Sequence, residues 1–491
     1  MTHSIKTLFL LNFLLCGLLQ AKPNIIWLMA EDMGQDLSCY GAAGVSTPYL
    51  DQLAEEGILY ERAYATSPIC SPSRSAMMVG ADQGIFDAQH HRSGRETPLG
   101  QQFRPITQLL RESGYTCLLG HSFARGKGRK TDCNFKHTKT GPWDGETNFG
   151  LFDEARDFTI TDQPFFAQIT LNTTHRGDWW SNLEGTVDPS EVELPPYLAD
   201  HPKVRADWAA YLTTVQQMDG TVGKILAELE RLGLSDNTIV IFIADNGRCQ
   251  LRGKGYLYED GVKVPLIVFD PRSSGKSSKV SSLVSLVDVS ASVLSFASIS
   301  LPDYITGVPL PQEDNEGGRE FVRSARDIWD EIDDCSRSIC TTDYKYIINH
   351  RPEVPWEAGQ AYLDLNRPAL HVMRKLSSEG KMNADQLVFF QTKKPEEELY
   401  DLKSDPFELN NLVGDPKFTE TVVQMRRYEL GWLSQNRDYG IEDLGSRSPQ
   451  LGLAAERARA HVREKKPDLW DRLTAGELLP THSWMKKWGS N

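Results

Sequence analysis

Four stretches of the chain run apolar almost without a break: Asn24 to Ala30, Gly114 to Leu119, Gln163 to Leu171 and Asn237 to Ala244. A strand with one wet face alternates, so unbroken runs of this length predict strands covered on both faces in a parallel sheet. Between them the apolar positions recur at helical spacing. Thr47 to Ala54 opens with a candidate cap and Pro48, and stops at Gly57. Ile106 to Ser113 is a short helix, and Leu283 to Ala297 another. Arg205 to Leu232 is the clearest, with Leu212, Val215, Met218, Val222, Ile225, Leu226 and Leu229 on one stripe and Gly233 just past its end. After about residue 340 the pattern changes to the antiparallel type: strands at Tyr344–Ile348 and Glu398–Leu402, then an amphipathic helix from Phe418 to Leu433.

The first 21 residues stand outside this pattern. Lys6 precedes an apolar run from Leu8 to Leu19 that ends at Gln20-Ala21. The run is short for a membrane span and reads as a signal peptide, residues 1–21, which predicts an exported chain, secreted or periplasmic, with no transmembrane anchor. A lipid anchor at Cys16 ranks second, because Leu15 is bulky for the position before it. The remainder divides by texture into residues 22–340 and 341–491.

Length and composition (491 residues, 40% hydrophobic, 24% charged) describe an ordinary globular protein with room for a large core and a smaller second unit. The net charge of −14 argues against nucleic acid as a partner. Positive charge is nevertheless concentrated locally, as an anionic substrate requires. Arg92 and Arg95 follow His90-His91, Arg125, Lys127, Arg129 and Lys130 lie together, and Arg248, Arg252 and Lys254 form a third group. Cys335 and Cys340 are close enough in sequence for a local disulfide, while Cys39, Cys117, Cys133 and Cys249 have no paired metal spacing.

The candidate chemistry centres on Cys70-Ser71-Pro72-Ser73-Arg74. A Cys, a Pro two positions on and an Arg two beyond resemble the signature of the type I sulfatases, in which a maturation enzyme oxidises this cysteine to formylglycine. The aldehyde hydrate that the resemblance implies has two hydroxyls: one attacks sulfur and the other later expels sulfate by re-forming the carbonyl. Arg74 would hold the hydrate, and Pro72 would bend the chain before a helix starting near Ser73. Glu31-Asp32, at the end of the first apolar run, resembles the family's Asp-Asp metal pair, and Asp245-Asn246-Gly247, at the end of the fourth, its second metal element. Together with residue 70 these imply an all-oxygen site suited to calcium, with magnesium the alternative.

The family's Gly-Lys-x-His element is replaced here by Gly120-His121-Ser122-Phe123. Lys130-Thr131-Asp132-Cys133-Asn134-Phe135 resembles a variant of it, which makes Ser122 to Arg129 an insertion, Lys130 the sulfate-contacting cation and Asp132 the occupant of the usual histidine position. Which of Asp132, His121 and His137 acts as base stays open. His175, after the third run, matches the family histidine that donates to the bridging oxygen. Lys254, in Gly253-Lys254-Gly255, matches the second sulfate-binding lysine, with Asp260 replacing a usual glycine. Arg92, Arg95, His121 and Trp179 are further substrate-binding candidates, Trp179 and Trp180 being either a sugar platform or core aromatics.

The resemblance runs from residue 24 to about 435 and includes Glu398-Leu399-Tyr400-Asp401-Leu402, Asp405-Pro406 and Asn411-Leu412 near its end. Within the family, Glu193 to Leu198 and Met218-Asp219 look most like heparan N-sulfatase (N-sulfoglucosamine sulfohydrolase) and related bacterial polysaccharide sulfatases, whereas Lys254 is more typical of O-sulfate enzymes. The resemblance implies an α/β fold of the alkaline phosphatase-like kind: a large mostly parallel sheet between helices, with a smaller α+β C-terminal subdomain. It implies hydrolysis of sulfate esters or sulfamates of sulfated glycans and a sulfatase-maturating enzyme as partner. Two rivals remain: a phosphoryl hydrolase of the same superfamily, and an inactive sulfated-glycan-binding protein. Residues 437–491 match no pattern.

Overall fold

A computed structural model describes residues 22–145, 148–273, 277–314, 318–446 and 453–489. The expected signal peptide lies outside the described residues. The largest sheet has seven strands: β1 (Asn24–Ala30), β2 (Ile58–Tyr60), β3 (Thr116–Leu119), β4 (Phe165–Leu171), β5 (Thr238–Ala244), β6 (Leu266–Phe269) and β7 (Ser278–Val280), in the order β7-β2-β6-β5-β1-β4-β3. Only β6 runs against its neighbours within this sheet. Every residue of β1, β4 and β5 is buried, which is why their sequences do not alternate.

The register at the centre of the sheet places the chemistry. Ala30 of β1 is level with Leu171 of β4 and Ala244 of β5. The three strands therefore finish together, and Glu31-Asp32, Asn172 to His175 and Asp245-Asn246 all emerge at one carboxyl edge, where open α/β sheets place their sites. Cross-links fix that edge: the Asp245 N–H donates to the Ala30 carbonyl at 3.1 Å, and the Met33 N–H to the Asn246 carbonyl at 3.0 Å.

Two helix starts differ from expectation. Helix α1 (Pro48–Glu56) has Pro48 in its first turn, but the Thr47 side chain makes no cap bond; its hydroxyl donates to Asp51 Oδ1 at 3.1 Å. Helix α2 (Cys70–Val79) begins at Cys70 rather than near Ser73. Pro72 falls within the first turn, where the missing N–H has no helical partner to lose, and the first helical bond runs from Ser73 N–H to the Ile69 carbonyl at 3.2 Å. All of α2 is buried, so Cys70 sits at a helix N-terminus sunk in the core. The 30-residue helix α3 (Pro202–Arg231) packs on α1. Helix α4 (Leu286–Phe296), which opens with a Ser285/Asp288 capping box, packs on α2.

A second, antiparallel sheet joins β8 (Val322–Arg326), β9 (Ser336–Cys340), β10 (Tyr344–Asn349) and β11 (Glu397–Asp401). It takes two strands from ahead of residue 340, the position at which the sequence texture changes. Cys335 and Cys340 are thiols rather than a disulfide, as are the other cysteines among the described residues. Cys335 precedes β9 and Cys340 ends it, and an extended segment of that length holds its ends far beyond disulfide reach. The unplaced C-terminal stretch supplies α5 (Leu453–Lys465), α6 (Pro467–Thr474) and α7 (Thr481–Trp488), which close around Ala458, Val462, Leu473 and Trp484 against Ala361 and Leu365. The Ser483 N–H donates to Asp178 Oδ1 at 3.0 Å, tying this tail to the segment after β4.

A buried ionic network joins the small sheet to the segments around it. Arg337 holds Asp438 at 2.7 and 2.8 Å and Asp327 at 3.0 Å; Arg323 holds Glu429 at 2.8 and 2.9 Å and also pairs with Asp438. Asp82, from the segment after α2, lies 3.7 Å from Arg323. Removing Arg337 takes a buried counter-charge from both Asp327 and Asp438, the latter keeping Arg323, so Arg337→Ala is expected to lose about 3–5 kcal/mol in urea unfolding. Arg104→Ala, which breaks an exposed pair with Glu112, should change stability by less than about 1 kcal/mol.

Candidate active site

Three carboxylates, Glu31, Asp32 and Asp245, are buried together at the end of β1 and β5. Isolated, such charges cannot remain ionised in the core. Arg74, one turn into α2, donates from Nε to Asp245 Oδ2 at 2.7 Å and from Nη2 to Glu31 Oε1 at 3.1 Å. Lys130 pairs with Glu31 and lies 3.3 Å from Asp132. Lys254 Nζ donates to both oxygens of Asp32 at 2.7 and 2.9 Å and to Cys70 Sγ at 3.0 Å. Cys70 Sγ in turn lies 3.5 Å from Asp32 Oδ1. The structure thus brings Glu31, Asp32, Cys70, Arg74, Lys130, Asp245, Asn246 and Lys254 around one point, with His175 Nε2 3.7 Å from Asp32 Oδ2.

The electrostatics are uneven. Burial opposes ionisation of Glu31 and Asp32, but Lys130 and Arg74 overcome it at Glu31 and Lys254 overcomes it at Asp32, so both are held below the usual carboxylate range. Asp245 is pushed up instead: burial, with Glu31 and Asp32 beside it, outweighs Arg74. Asn246 Oδ1 is buried with no hydrogen-bond partner, while its amide donates to Asp32 Oδ1 at 3.1 Å. Donor atoms of Glu31, Cys70 and Asp245 lie within 4.8 Å of one another. An orphaned carbonyl oxygen beside a carboxyl, Asp245, that stays raised despite Arg74 is compatible with a hard divalent cation.

Burial also pushes the Cys70 thiol up to about 12, despite Lys254 and Lys130. As a thiol it is neutral near pH 7 and a poor nucleophile. His175 is lowered to about 4 by burial, with Lys254 and Lys130 adding to the effect against Asp32 and Glu31. Its Nδ1 lies 3.0 Å from the Arg176 carbonyl, an acceptor, so the neutral ring carries its proton there and presents Nε2 unprotonated to the cluster.

The other candidates occupy different places. Asp132 is a counter-ion: Arg92 clamps it at 3.0 and 3.2 Å, Arg95 and Lys130 add to this, and its carboxyl is held well below the usual range because these cations outweigh burial. A carboxylate so paired is a poor base. Arg92 and Arg95 are themselves 45% and 44% exposed and line a cavity of about 590 Å³ with Arg129, Lys130, His137 and Lys139. His121 is buried between Phe123 and Phe158, with ring centroids at 4.9 and 5.0 Å, and does not line that cavity. Trp179 is half-buried beneath Arg125, 4.5 Å from the ring centroid; Trp180 is a core aromatic stacked on Arg176. Two supporting residues carried no sequence signal. His91 Nδ1 bonds Ser71 Oγ at 2.9 Å, and Thr174 Oγ1 donates to the Glu31 carbonyl at 2.5 Å.

Residues 23–299 match the family model for sulfatases. The chain belongs to the sulfatase family. It is 31% identical over 463 residues to an ulvan-active sulfatase of Formosa agariphila, covering 85% of this chain and 75% of that one. It is 26% identical over 484 residues to the N-sulphoglucosamine sulphohydrolase of Homo sapiens, covering 87% and 93%. Among solved structures, a protein in complex with its substrate D-glucosamine-2-N,6-O-disulfate superposes with a TM-score of 0.58 at 17% identity, covering 87% of this chain and all of that one. A phosphonate monoester hydrolase of Agrobacterium radiobacter superposes at 0.61 and 18%, covering 86% and 97%. The fold is the alkaline phosphatase-like one, and the chain is a sulfuric ester hydrolase of this family. Among the described residues, no helix is long and apolar enough to cross a membrane.

The raised Asp245 carboxyl makes cation binding pH-dependent. A divalent cation bound here would have to displace a proton that this group keeps to higher pH than an ordinary aspartate, so affinity for such a cation should fall as pH is lowered toward the acid range, with net proton release on binding. Calorimetry in two buffers of different ionisation enthalpy measures both; pH-independent affinity without proton release would contradict the assignment.

Proposed function

We propose that this sulfatase hydrolyses sulfate esters or sulfamates of sulfated glycans, using a formylglycine made from Cys70 and a bound divalent cation, with calcium first and magnesium second. The observation that carries the reading is the position of Cys70 Sγ, 3.0 Å from Lys254 Nζ and 3.5 Å from Asp32 Oδ1. In the mature enzyme a hydrate oxygen stands where Sγ stands here. Formylglycine supplies an oxygen nucleophile and, through its second hydroxyl, a way to expel sulfate. Glu31, Asp32, Asp245 and Asn246 would hold the cation, which would supply charge stabilisation for the negative charge that develops in the reaction.

The chain's own residues do the rest. Lys254 and Lys130 offer fixed charge to the sulfuryl oxygens, and Arg74 holds Glu31 and Asp245 in place beside residue 70. His175 takes up a proton at Nε2 when a sulfate anion arrives beside it, since a nearby negative charge favours the imidazolium, and passes it to the bridging oxygen. Arg92 and Arg95, on the open cavity, suit further anionic groups of the glycan. Export by the 1–21 segment and a maturation enzyme for Cys70 complete the reading.

The names of the relatives, an ulvan-active sulfatase and an N-sulphoglucosamine sulphohydrolase, support a polysaccharide substrate and leave N- and O-sulfate both to be assayed. The shared fold of a phosphonate monoester hydrolase calls for a phosphonate ester in the same panel. Sulfate release from N-sulfoglucosamine and from O-sulfated hexosamine, uronate and rhamnose is the test. At least one member should be cleaved, Cys70→Ala should abolish release, and Lys254→Ala should lower kcat/KM by about 10²–10³-fold. Turnover of the phosphonate ester alone would overturn the reading, and so would glycan binding without turnover by protein carrying formylglycine at residue 70.

A further inference from the structure

The sulfate-binding edge is completed from the C-terminal half of the chain. Trp329 packs directly on Gly255, where a Cβ would lie 2.0 Å from the indole; Gly255 has φ +95 and follows Lys254. The His91 N–H donates to the Ile328 carbonyl at 2.9 Å, which sets the same turn beside Arg92. At the tip of this turn is Asp330, a non-glycine residue at φ 53. Left-handed backbone at a non-glycine position is retained where the surroundings require it, often at functional sites. Asp330 is partly exposed, forms no salt bridge within the described residues, and receives one long hydrogen bond, from Gln360 Nε2 at 3.5 Å.

Beside it stands Tyr362. Its ring is 5.8 Å from that of Trp329 and 5.9 Å from Lys254 Nζ, and its hydroxyl is buried with no partner. Burial pushes the Asp330 carboxyl up to about 6, while Arg92 and Lys254, near enough to act on it, pull it back. A lone carboxylate facing an anion-binding site repels substrate unless it meets a donor there.

We propose that Asp330 and Tyr362 form the subsite for the sugar that carries the scissile sulfate, with Asp330 accepting a hydrogen bond from a neighbouring sugar hydroxyl and excluding a second anionic group at that carbon. The carboxylate thus recognises by attraction and rejects by repulsion at one position, and a sulfated hydroxyl there meets like charge. The assignment rests on the sulfatase reading above and deepens it, since it names a residue that discriminates between singly and doubly sulfated sugars.

The test is calorimetric binding to the Cys70→Ala protein, with and without a change at Asp330, alongside sulfate release by the wild-type chain. Asparagine and glycine both tolerate the left-handed backbone, so Asp330→Asn and Asp330→Gly remove the charge or the side chain without straining the turn. The probes are N-sulfoglucosamine and rhamnose sulfate, each beside the same sugar bearing one further sulfate at each free hydroxyl. Asp330→Gly should weaken binding of the singly sulfated sugar by about 10–100-fold. Asp330→Asn should shift the preference toward one doubly sulfated form by about tenfold. Unchanged ratios for every pair, or no binding of any probe, would overturn the subsite, whereas a wild-type chain that releases sulfate from none of the panel would overturn the activity itself.

Discussion

Three carboxylates buried at one edge of a parallel sheet are the constraint on which the rest of this structure depends. Glu31, Asp32 and Asp245 leave β1 and β5 at the same level because Ala30 and Ala244 are in register. Desolvation makes this arrangement untenable without cations, and the chain sends three to it from distant segments: Arg74 from α2, Lys130 from the loop after β3, and Lys254 from the loop after β5. The convergence of these segments fixes where Cys70 lies, beside Lys254 and Asp32. Even so Asp245 remains raised and Asn246 Oδ1 unpartnered, which is compatible with a bound cation.

Much of this was legible in the sequence, for physical reasons. Strands buried on both faces announce themselves as unbroken apolar runs, and acidic residues directly after such runs have few roles other than a site. The pentapeptide Cys70 to Arg74 spans just over one helical turn, so its two chemical residues share a face of α2. Other residues were less legible because their role depends on partners far away in the chain. Asp132 reads locally as a substitute base, yet Arg92 and Arg95, some forty residues upstream, lock it as a counter-ion. His121 follows a strand in the position of a functional residue, but Phe123 and Phe158 enclose it. Asp330 and Tyr362 carry no motif at all; only the packing of Trp329 on Gly255 brings them to Lys254.

The C-terminal half therefore does more than cover the large sheet. Its four strands are anchored by Arg323 and Arg337 in a network that reaches Asp82, just beyond α2. Helices α5 to α7, in a stretch whose composition suggested nothing, pack on Ala361 and Leu365, next to Tyr362. The charged cluster sits at the edge of the large sheet, and segments from beyond residue 320 pack around it.

Residue 70 is proposed to work as formylglycine within this cluster. Mass spectrometry of the Cys70 peptide, on samples matured to different extents and assayed in parallel, tests it most directly. The account predicts that the fraction carrying the aldehyde or its hydrate rises in proportion to sulfate-releasing activity. Full activity in a sample whose Cys70 is an intact thiol would contradict it.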